Sequence, residues 1–463
     1  MKGRAGAAFR SLPLAACAAL MGCSGPNEGQ LAIPSPAMSD LQSDRDLPLR
    51  PWVPPARGLP GVDGKASTTE NIALGDAVSR SVEHNPHIRA AFMEIEARHA
   101  ETAQASYKPN PELSLDVENF LGSKSKSGFG AAEETLQISQ TIELGDKRLK
   151  RLRAANLEAS VAGWDYEVAR LAVAAKAADY FIDVLASQER IEVLDDFIAT
   201  AAKTKNAVEA QVTGGKAAPI DLDRAKVVLA RVTAQRDSET ARNLASRRSL
   251  SSLWGSSESV LFKRAAGKLS SGRNVPDLGT VTAKINANPS IARWSDEVGK
   301  RYAMLDVERS KAIPDVKVGF GTRTFNEDGS AALVASVSVP LQLFDRNDGN
   351  TAAAERRVAR SQFEEEAARR DLTSSLIEVL GTMSVAAAQI RSLESNVLPA
   401  ARSAHDLTRT GYNEGKFDVL HLLDTQRVLL ETQFEAVNAR ADFTKAKVRL
   451  DMLTGDGMEP PAP

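Results

Sequence analysis

Two histidines near the start of the chain are the residues best spaced to bind a metal ion. His84 and His87 lie three positions apart, a spacing that places both on one face of a helix, where a third ligand would complete a zinc site. No further histidine, glutamate pair or cysteine forms a recognisable set beside them, although Glu83 and Glu94 are within reach in sequence. We therefore interpret the pair as part of a solvated helix face and predict no metal site.

The sequence carries no signature of catalysis or of nucleic-acid binding. The chain has no nucleophile elbow, Walker loop or dinucleotide fingerprint, and Gly128-Phe129-Gly130 lies between predicted strands without a following helix. A net charge of −2, with acids and bases interspersed, provides no basic stripe for a phosphate backbone. We predict that the protein is not an enzyme, uses no cofactor and does not bind nucleic acid.

A duplicated pattern positions the remaining candidate residues. Four motifs recur in the same order after 200 to 203 residues: Asn85-Pro86 and Asn288-Pro289, Pro111 and Pro314, Gly215-Lys216 and Gly415-Lys416, and Leu250/Leu253/Gly255 and Leu450/Leu453/Gly455. Such recurrence indicates a duplicated helix-strand-strand-helix unit. We predict a first repeat at residues 69–256, a second at 277–456 and a tail at 457–463.

Strictly alternating segments in each repeat predict strands with one apolar face. The residues predicted to face lipid are Leu113, Leu115, Val117, Leu136, Ile138, Val316, Val318, Phe320, Val337 and Val339. No uninterrupted apolar run reaches the roughly 18 residues of a spanning helix, so any membrane crossing must use strands. Four strands cannot close a barrel around water, whereas three chains supply twelve, which predicts a homotrimer. The alternative is an amphipathic sheet packed on a soluble core.

Long helical segments without proline precede two glycine-containing turns. At 1.5 Å per residue, the helix predicted from Lys147 to Val212 is roughly 100 Å long. Each long helix should reverse at a tip and return as a second amphipathic helix. The predicted tips, which could dock a partner, contain Gly214, Gly215, Lys216, Glu414, Gly415 and Lys416.

These features together resemble the TolC family of outer-membrane efflux proteins over about residues 68–456. The segments Lys108–Phe120 and Gln140–Arg148 are similar to the cobalt-zinc-cadmium branch of that family. The resemblance implies a mainly α fold with a small β part. It also implies a trimeric twelve-stranded outer-membrane barrel continued by a long periplasmic helical barrel. Its expected partners are two further copies of the chain, a periplasmic adaptor, an inner-membrane proton-driven pump and outer-membrane lipid.

The resemblance also implies a gate at the periplasmic end of the helices. By position relative to the tip glycines, Asp221, Tyr412 and Asp424 match gate residues of the family, and His421 stands where another acid is expected. The alternative for Asp221 and Asp424 is that they solvate the start of a helix, where the helix dipole favours negative charge. Both interpretations remain open from sequence.

Two rival functions share parts of this pattern. A drug-efflux or type I protein-secretion duct has the same fold, and a periplasmic coiled-coil adaptor or scaffold also contains helical hairpins. An adaptor should have one hairpin flanked by halves of a compact β domain, whereas this sequence has two hairpins and four alternating strands. The sequence therefore favours a duct over an adaptor, and the resemblance to the cobalt-zinc-cadmium branch implies divalent heavy-metal cations as its cargo.

The N-terminus predicts export and lipid attachment. Residues 1–22 combine early positive charge with an apolar segment that ends in Leu20-Met21-Gly22-Cys23, which resembles a lipoprotein box, and residues 23–68 form a tether rich in proline and glycine. Cys17 and an ordinary cleaved signal are the alternatives. With Cys23 as the acylated residue, the protein would be anchored in the outer membrane and extend into the periplasm.

We expect Cys23→Ala to abolish acylation while the barrel still holds the protein in the membrane, because lipid chains add affinity to an anchorage that the strands already provide. Mass spectrometry of the mature N-terminus tests this directly. An unmodified N-terminus at another residue in the wild-type protein would refute lipidation at Cys23.

Overall fold

The computed structural model describes residues 69–255, 262–272 and 274–455. The predicted signal peptide at residues 1–22, Cys23, the tether at 23–68 and the tail at 457–463 lie outside the described residues.

Helices account for most of the described residues. They are α1 Leu74–His84, α2 Pro86–Ala105, α3 Lys147–Thr213, α4 Pro219–Ser251, α5 Leu278–Thr282, α6 Pro289–Lys311, α7 Asp348–Ser392, α8 Leu398–Asn413 and α9 Val419–Thr454. The strands are β1 Thr69–Ile72, β2 Glu112–Glu118, β3 Glu133–Ile142, β4 Phe262–Ala265, β5 Val316–Phe325 and β6 Ala331–Ser338. The prediction of a mainly helical chain with a small β part is confirmed.

An asparagine at the start of a helix in each repeat also bonds to the end of that repeat. Asn85 accepts a hydrogen bond from the amide two residues ahead, 2.9 Å, and donates one to the carbonyl of Leu253, 3.0 Å. Asn288 repeats both bonds, at 2.9 Å to the amide two residues ahead and 3.1 Å to the carbonyl of Leu453. Two motifs that recur in the sequence are therefore in contact within each repeat.

The two long helices differ at a single proline. Helix α3 runs unbroken for 67 residues. Helix α7 passes into α8 through a π-helical turn at Leu393–Val397, which ends two residues before Pro399. Proline has no amide hydrogen and its ring clashes with the carbonyl four residues earlier, and the wider turn relieves this clash. Ala199 occupies the position 200 residues earlier and imposes no such constraint.

A buried carboxylate joins the two repeats at the contact between α3 and α6. Asp296 is 2% exposed and accepts hydrogen bonds from the Ser160 hydroxyl, 2.5 Å, and from the Trp164 ring nitrogen, 2.8 Å. Arg293 donates to Asp165 of the other helix at 3.0 Å. Because a buried charge without hydrogen-bond partners is strongly unfavourable, these contacts fix the position of α6 along α3.

Two short strands were not predicted from the sequence. Strand β1 pairs in parallel with β4, which lies between the two repeats. Ile72 and Phe262 are each 1% exposed and pack in one core with Phe181 of α3 and Leu250 of α4. Four-residue strands carry too little periodicity to be recognised from sequence.

The main sheet contains strands from both repeats in the order β2-β3-β5-β6, all antiparallel. Strands β3 and β5, one from each repeat, pair at its centre from Glu133 opposite Phe325 to Ile142 opposite Val316. Strands β2 and β6 form the two edges, and neither has an outer partner among the described strands.

Within the described residues, the continuous helical stretch Asp348–Asn413 is long and apolar enough to cross a membrane. In its most apolar 18-residue segment, 39% is buried. Core helices of soluble proteins pass the same test. Leu376, Leu380 and Met383 of α7 are buried in one core cluster with Phe443 of α9. We therefore interpret this stretch as part of the helical core.

We expect Asn288→Ala to lower the free energy of unfolding by about 2 kcal/mol, because it removes a helix cap and leaves the buried Leu453 carbonyl without its donor. Thermal unfolding followed by circular dichroism in detergent measures the effect. Asn156→Ala, on the exposed surface of α3, is the control and should change little. Equal melting temperatures for the Asn288 variant and the control would contradict the structural role of Asn288.

Candidate functional site

The two helical hairpins reverse at glycines with left-handed backbone conformations. Gly215 has φ 70° and Gly415 has φ 74°, and a Cβ at either position would meet no atom within 4 Å. The amide of Lys216 donates to the carbonyl of Gln211 at 2.8 Å, and the amide of Lys416 donates to that of Gly411 at 2.7 Å. Glycine is therefore required by the backbone conformation rather than by lack of space.

A small apolar cluster joins the tips of the two hairpins. Its buried members are Val208, Ala225, Tyr412, Val419, Leu422 and Leu423. Tyr412 is 6% exposed, and its hydroxyl donates to the side-chain oxygen of Gln211 at 3.1 Å. A second polar contact lies further from the tips, where the Gln426 amide donates to the Thr204 hydroxyl at 3.0 Å. These two hydrogen bonds connect the second hairpin to α3.

The structure brings two of the four predicted gate residues together. Burial, and then the charge of Asp221, raise the pKa of the Tyr412 hydroxyl above its usual value, so the hydroxyl keeps its proton and continues to donate at neutral pH. Asp221 lies in the first turn of α4 and pairs with Arg224 at 3.3 Å. Asp221 therefore lies at a helix start, as the alternative of a solvated helix start expects, and its charge also raises the pKa of Tyr412.

The other two predicted gate residues are exposed on α9 and have local partners. The Nδ1 of His421 lies 2.6 Å from Asp418, and Asp424 pairs with Arg427 at 2.8 Å. Asp418 caps α9 by accepting the His421 amide, and the hydrogen bonds from that amide and then from the ring lower the pKa of Asp418. Sequence analysis missed Asp418, although an aspartate immediately before a helix is a recognised cap.

A tight contact distinguishes the second tip from the first. The ring of Phe417 lies against Gly411, where any Cβ would collide with it, and lies 5.9 Å from the ring of His421. In the first hairpin the residues 200 positions earlier are Ala217 and Gln211. The second tip is therefore stiffened by an aromatic side chain that the first tip lacks.

The main sheet has one apolar and one polar face. Directly opposed residues in an antiparallel pair share a face, and the register aligns Leu113 with Ile138, Ile138 with Phe320, and Val318 with Val337. Nine of the ten residues predicted to face lipid therefore lie on one face: Leu113, Leu115, Val117, Leu136, Ile138, Val316, Val318, Phe320 and Val337. The tenth, Val339, is wrong as a strand residue because β6 ends at Ser338, before the turn that leads to α7.

The apolar face of the sheet is open in the single chain. Leu113 is 72% exposed, Phe320 63% and Leu333 90%. Because large apolar residues concentrated on one open face mark a contact with an apolar phase or another molecule, this face is the strongest functional signal in the structure.

Ion pairs between strand β5 and strands β3 and β2 cover the opposite face. Lys317 pairs with Glu112 at 2.6 Å, and Arg323 pairs with Glu133 at 3.2 Å and Glu118 at 3.4 Å. Glu118 and Glu133 are directly opposite each other, so Arg323 offsets the repulsion between two adjacent carboxylates. The face is polar, and its charged residues near the ends of the strands neutralise one another in these ion pairs.

A further polar contact crosses the middle of the same face. The Gln137 amide bonds to the Ser336 hydroxyl by passing over Gly319 of the strand between them. A Cβ at Gly319 would collide with both groups. Glycine in this strand is therefore explained by a side-chain bridge over its backbone.

The expectation that His84 and His87 share one helical face is wrong. Helix α1 ends at His84 and α2 begins at Pro86, with the intervening Asn85 extended because a residue before proline avoids the helical conformation. Across residues 69–255, 262–272 and 274–455, no group of three or more histidine, cysteine, aspartate or glutamate side chains is arranged to hold a metal ion.

Comparison with known proteins places these features in context. A family model described as outer membrane efflux protein matches residues 77–256 and 283–456. The cobalt-zinc-cadmium resistance protein CzcC of Cupriavidus metallidurans is 30% identical over 425 residues, covering 92% of this chain and 97% of that protein. The nickel and cobalt resistance protein CnrC of the same organism is 28% identical over 60% of this chain and 65% of its own length.

Solved structures agree with the fold. The crystal structure of CusC, described in connection with transmembrane channel formation, superposes with a TM-score of 0.72 at 15% identity, covering 93% of this chain and 98% of that one. At this level of identity the likeness establishes a shared fold.

Proposed function

The chain belongs to the outer membrane efflux protein family, and from this membership we propose that it forms the outer-membrane duct of a tripartite heavy-metal efflux system. Its similarity to CzcC over 92% of the chain supports divalent cations of the cobalt, zinc and cadmium kind as the exported cargo. The ions are cargo in transit, so the duct does not need a tight binding site in its wall.

The open apolar face of the sheet is the observation that carries this proposal. In water, burial of an apolar surface is worth about 25 cal/mol per Å², so a face this exposed needs a lipid or protein neighbour. In lipid, every backbone N–H and C=O must also be paired, which the edges β2 and β6 cannot achieve within one chain. Three copies joined β6 to β2 give twelve strands in a closed barrel, so we propose a homotrimer.

The polar face then lines the water-filled interior of the barrel. Arg323, Lys317 and their carboxylate partners would face the lumen, where paired charges remain hydrated without binding the cargo tightly. The helices continue from the same end of the sheet, and α3 alone, at 67 residues, is roughly 100 Å long. This length suits a helical barrel that crosses the periplasm.

The hairpin tips, at the far end of these helices, are the proposed docking site for a periplasmic adaptor. The tip residues Gly214, Gly215, Lys216, Glu414, Gly415 and Lys416 are all exposed. Beside them Ile220 is 56% exposed and Leu420 is 52% exposed, which gives both hairpins an apolar surface that a helical partner could cover. The adaptor would connect the duct to an inner-membrane proton-driven pump.

We assign the gate to the same end. Tyr412 ties the second hairpin to α3 through Gln211, and Asp221 lies close enough to raise the pKa of the Tyr412 hydroxyl. Asp424 and His421 are exposed on the adjacent α9 and would be brought into a narrow ring by threefold repetition. Carboxylates in such a ring attract cations.

The proposed location is the outer membrane, with the helices in the periplasm and a lipid anchor at Cys23. Family membership supports the outer membrane. The anchor rests on the sequence around Cys23 alone.

We expect the wild-type gene to restore growth of its deletion strain on zinc, cobalt and cadmium. The Val117→Arg variant should fail to restore growth, because arginine at mid-bilayer depth on the lipid face opposes insertion by about 2–4 kcal/mol. Growth on graded metal concentrations is the measurement. Ser114→Arg, on the opposite face of the same strand, is the matched control and should retain most resistance. Equal loss in both variants would contradict the assignment of faces, and unchanged metal sensitivity of the deletion strain would contradict the metal cargo.

The gate assignment predicts that Asp221→Ala combined with Asp424→Ala raises single-channel conductance in planar bilayers and reduces preference for cations. The variant removes two carboxylates per subunit, and therefore six from a threefold ring. Asp237→Ala combined with Glu435→Ala, further along α4 and α9, removes the same charge and should leave both properties unchanged. Wild-type conductance and selectivity in the first variant would assign Asp221 and Asp424 to ordinary solvated helix positions.

A further inference from the structure

Two loops of opposite charge lie at the end of the main sheet that is remote from the helices. We name residues 119–132, between β2 and β3, the basic loop, and residues 326–330, between β5 and β6, the acidic loop. The basic loop contains Lys124 and Lys126 and no acid, and the acidic loop contains Glu327 and Asp328 and no base. Because the strands of one sheet end together, both loops lie at the same rim.

Each loop has a defined turn that presents its charges. In the basic loop, the amide of Leu121 donates to Gly128 at 2.8 Å and that of Gly122 to Lys126 at 2.8 Å. The rings of Phe120 and Phe129 stack at 5.7 Å across the base of this loop.

The acidic loop is closed by two backbone hydrogen bonds. The amide of Gly329 donates to Phe325 at 2.9 Å and that of Phe325 to Ser330 at 2.9 Å. The loop charges are therefore held on structured turns, which lowers the conformational entropy lost when they meet a partner.

The loop charges are not used within the chain. Lys124, Lys126 and Glu327 form no ion pair or side-chain hydrogen bond with any residue that the structure describes. Asp328 accepts hydrogen bonds from the hydroxyl and the amide of Ser330, the latter at 2.9 Å, and pairs with no base among the described residues. The nearby Glu133 is already bound by Arg323 and by Asn119. Both lysines and both acids of the two loops therefore remain available to another molecule.

The order of the strands gives each acidic loop a basic loop on either side, one in its own chain and one in the neighbouring copy. Strands β2 and β6 are the two edges of the sheet, so barrel closure places β6 of one copy beside β2 of the next. The acidic loop leads into β6 and the basic loop follows β2. The two loops of adjacent copies then lie two strand spacings apart, about 10 Å between their centres. The two loops of one chain have the same spacing, and their charges do not pair with each other, so they are free to pair with those of the neighbouring copy.

We propose that the acidic loop of each copy clasps the basic loop of the neighbouring copy, so that six loops of alternating charge ring the outer mouth of the barrel. The proposal rests on the trimer of the proposed function. The clasp would stabilise the trimer at its outer rim, where β6 of one copy meets β2 of the next. It would also favour the antiparallel register of β6 and β2 in which the two loops lie at the same height.

Charge reversal tests the clasp in the full-length protein in detergent. We expect the trimer association constant to fall roughly tenfold at low salt in either of two double variants, Lys124→Glu with Lys126→Glu or Glu327→Lys with Asp328→Lys. Each exposed ion pair changes this constant by about 1.5- to 5-fold, and the effect is repeated at three junctions. All four changes together should restore association. In 0.5 M salt the differences should disappear, because exposed charges are then screened.

The control carries the same change of net charge away from the loops, in Lys203→Glu with Lys447→Glu, two exposed lysines on α3 and α9. An equal loss of trimer in this control, or no rescue in the fourfold variant, would overturn the clasp. A wild-type protein that is monomeric by native mass spectrometry would instead overturn the proposed trimer. The two failures are therefore distinguishable.

A disulfide identifies the partner of each loop. Lys124→Cys with Glu327→Cys, in a chain whose other cysteines are Cys17 and Cys23, should give covalent dimers and trimers on non-reducing gels after mild oxidation. A disulfide found only within single chains, or the absence of a disulfide while the trimer is intact, would contradict contact between copies.

Discussion

The pairing of backbone polar groups at the edges of the four-stranded sheet is the constraint on which the rest of this molecule depends. One chain provides a sheet with a polar face, an apolar face and two unpaired edges. In an apolar surrounding those edges cannot remain unpaired, and the closure with other copies that we propose would satisfy them. The arrangement of the chain follows from this: both repeats place their strands between helices, so that α2, α3, α6 and α7 adjoin one end of the main sheet and the β2–β3 and β5–β6 loops lie at the other.

Duplication explains why both halves meet this constraint in the same way. Asn85 and Asn288 bond the start of one helix to the end of another in each repeat, and Gly215 and Gly415 reverse each hairpin with the same backbone conformation. The halves differ at two places in the second hairpin. Pro399 introduces a π-helical turn into the second long helix alone, and the Phe417 ring stiffens the second tip alone.

The strength of the contacts between the halves decreases toward the tips. Near the sheet, α3 and α6 are held by the buried Asp296 and its two donors, in addition to their apolar contact. At the tips, the link consists of one small apolar cluster and the hydrogen bond from Tyr412 to Gln211. A single hydrogen bond of this kind contributes about 1 kcal/mol. The contact at the tips is therefore the smaller of the two, which suits the gate that we propose at this end.

The sequence by itself determined the features that depend on local pattern. Alternation of apolar and polar residues predicted the strands and the face on which Leu113, Ile138 and Phe320 lie, because one side of such a strand must leave water. The recurring glycines predicted the hairpin tips, because glycine adopts the left-handed backbone conformation of such a turn most readily. The prediction that His84 and His87 share one helical face was wrong, because Pro86 between them ends one helix and begins another. The prediction of Val339 as a strand residue was wrong because β6 ends one residue earlier than the alternation suggests.

Only the tertiary structure decided which distant residues meet. It paired β3 with β5, joined Tyr412 to Gln211 across about 200 residues, gave the buried Asp296 its donors and added the strands β1 and β4. None of these contacts leaves a periodic signal, because each depends on how two separate segments pack rather than on the conformational preference of either one. Whether the apolar face meets lipid or protein is likewise a property of the assembled surface, since a pattern of alternation specifies only that one side must leave water.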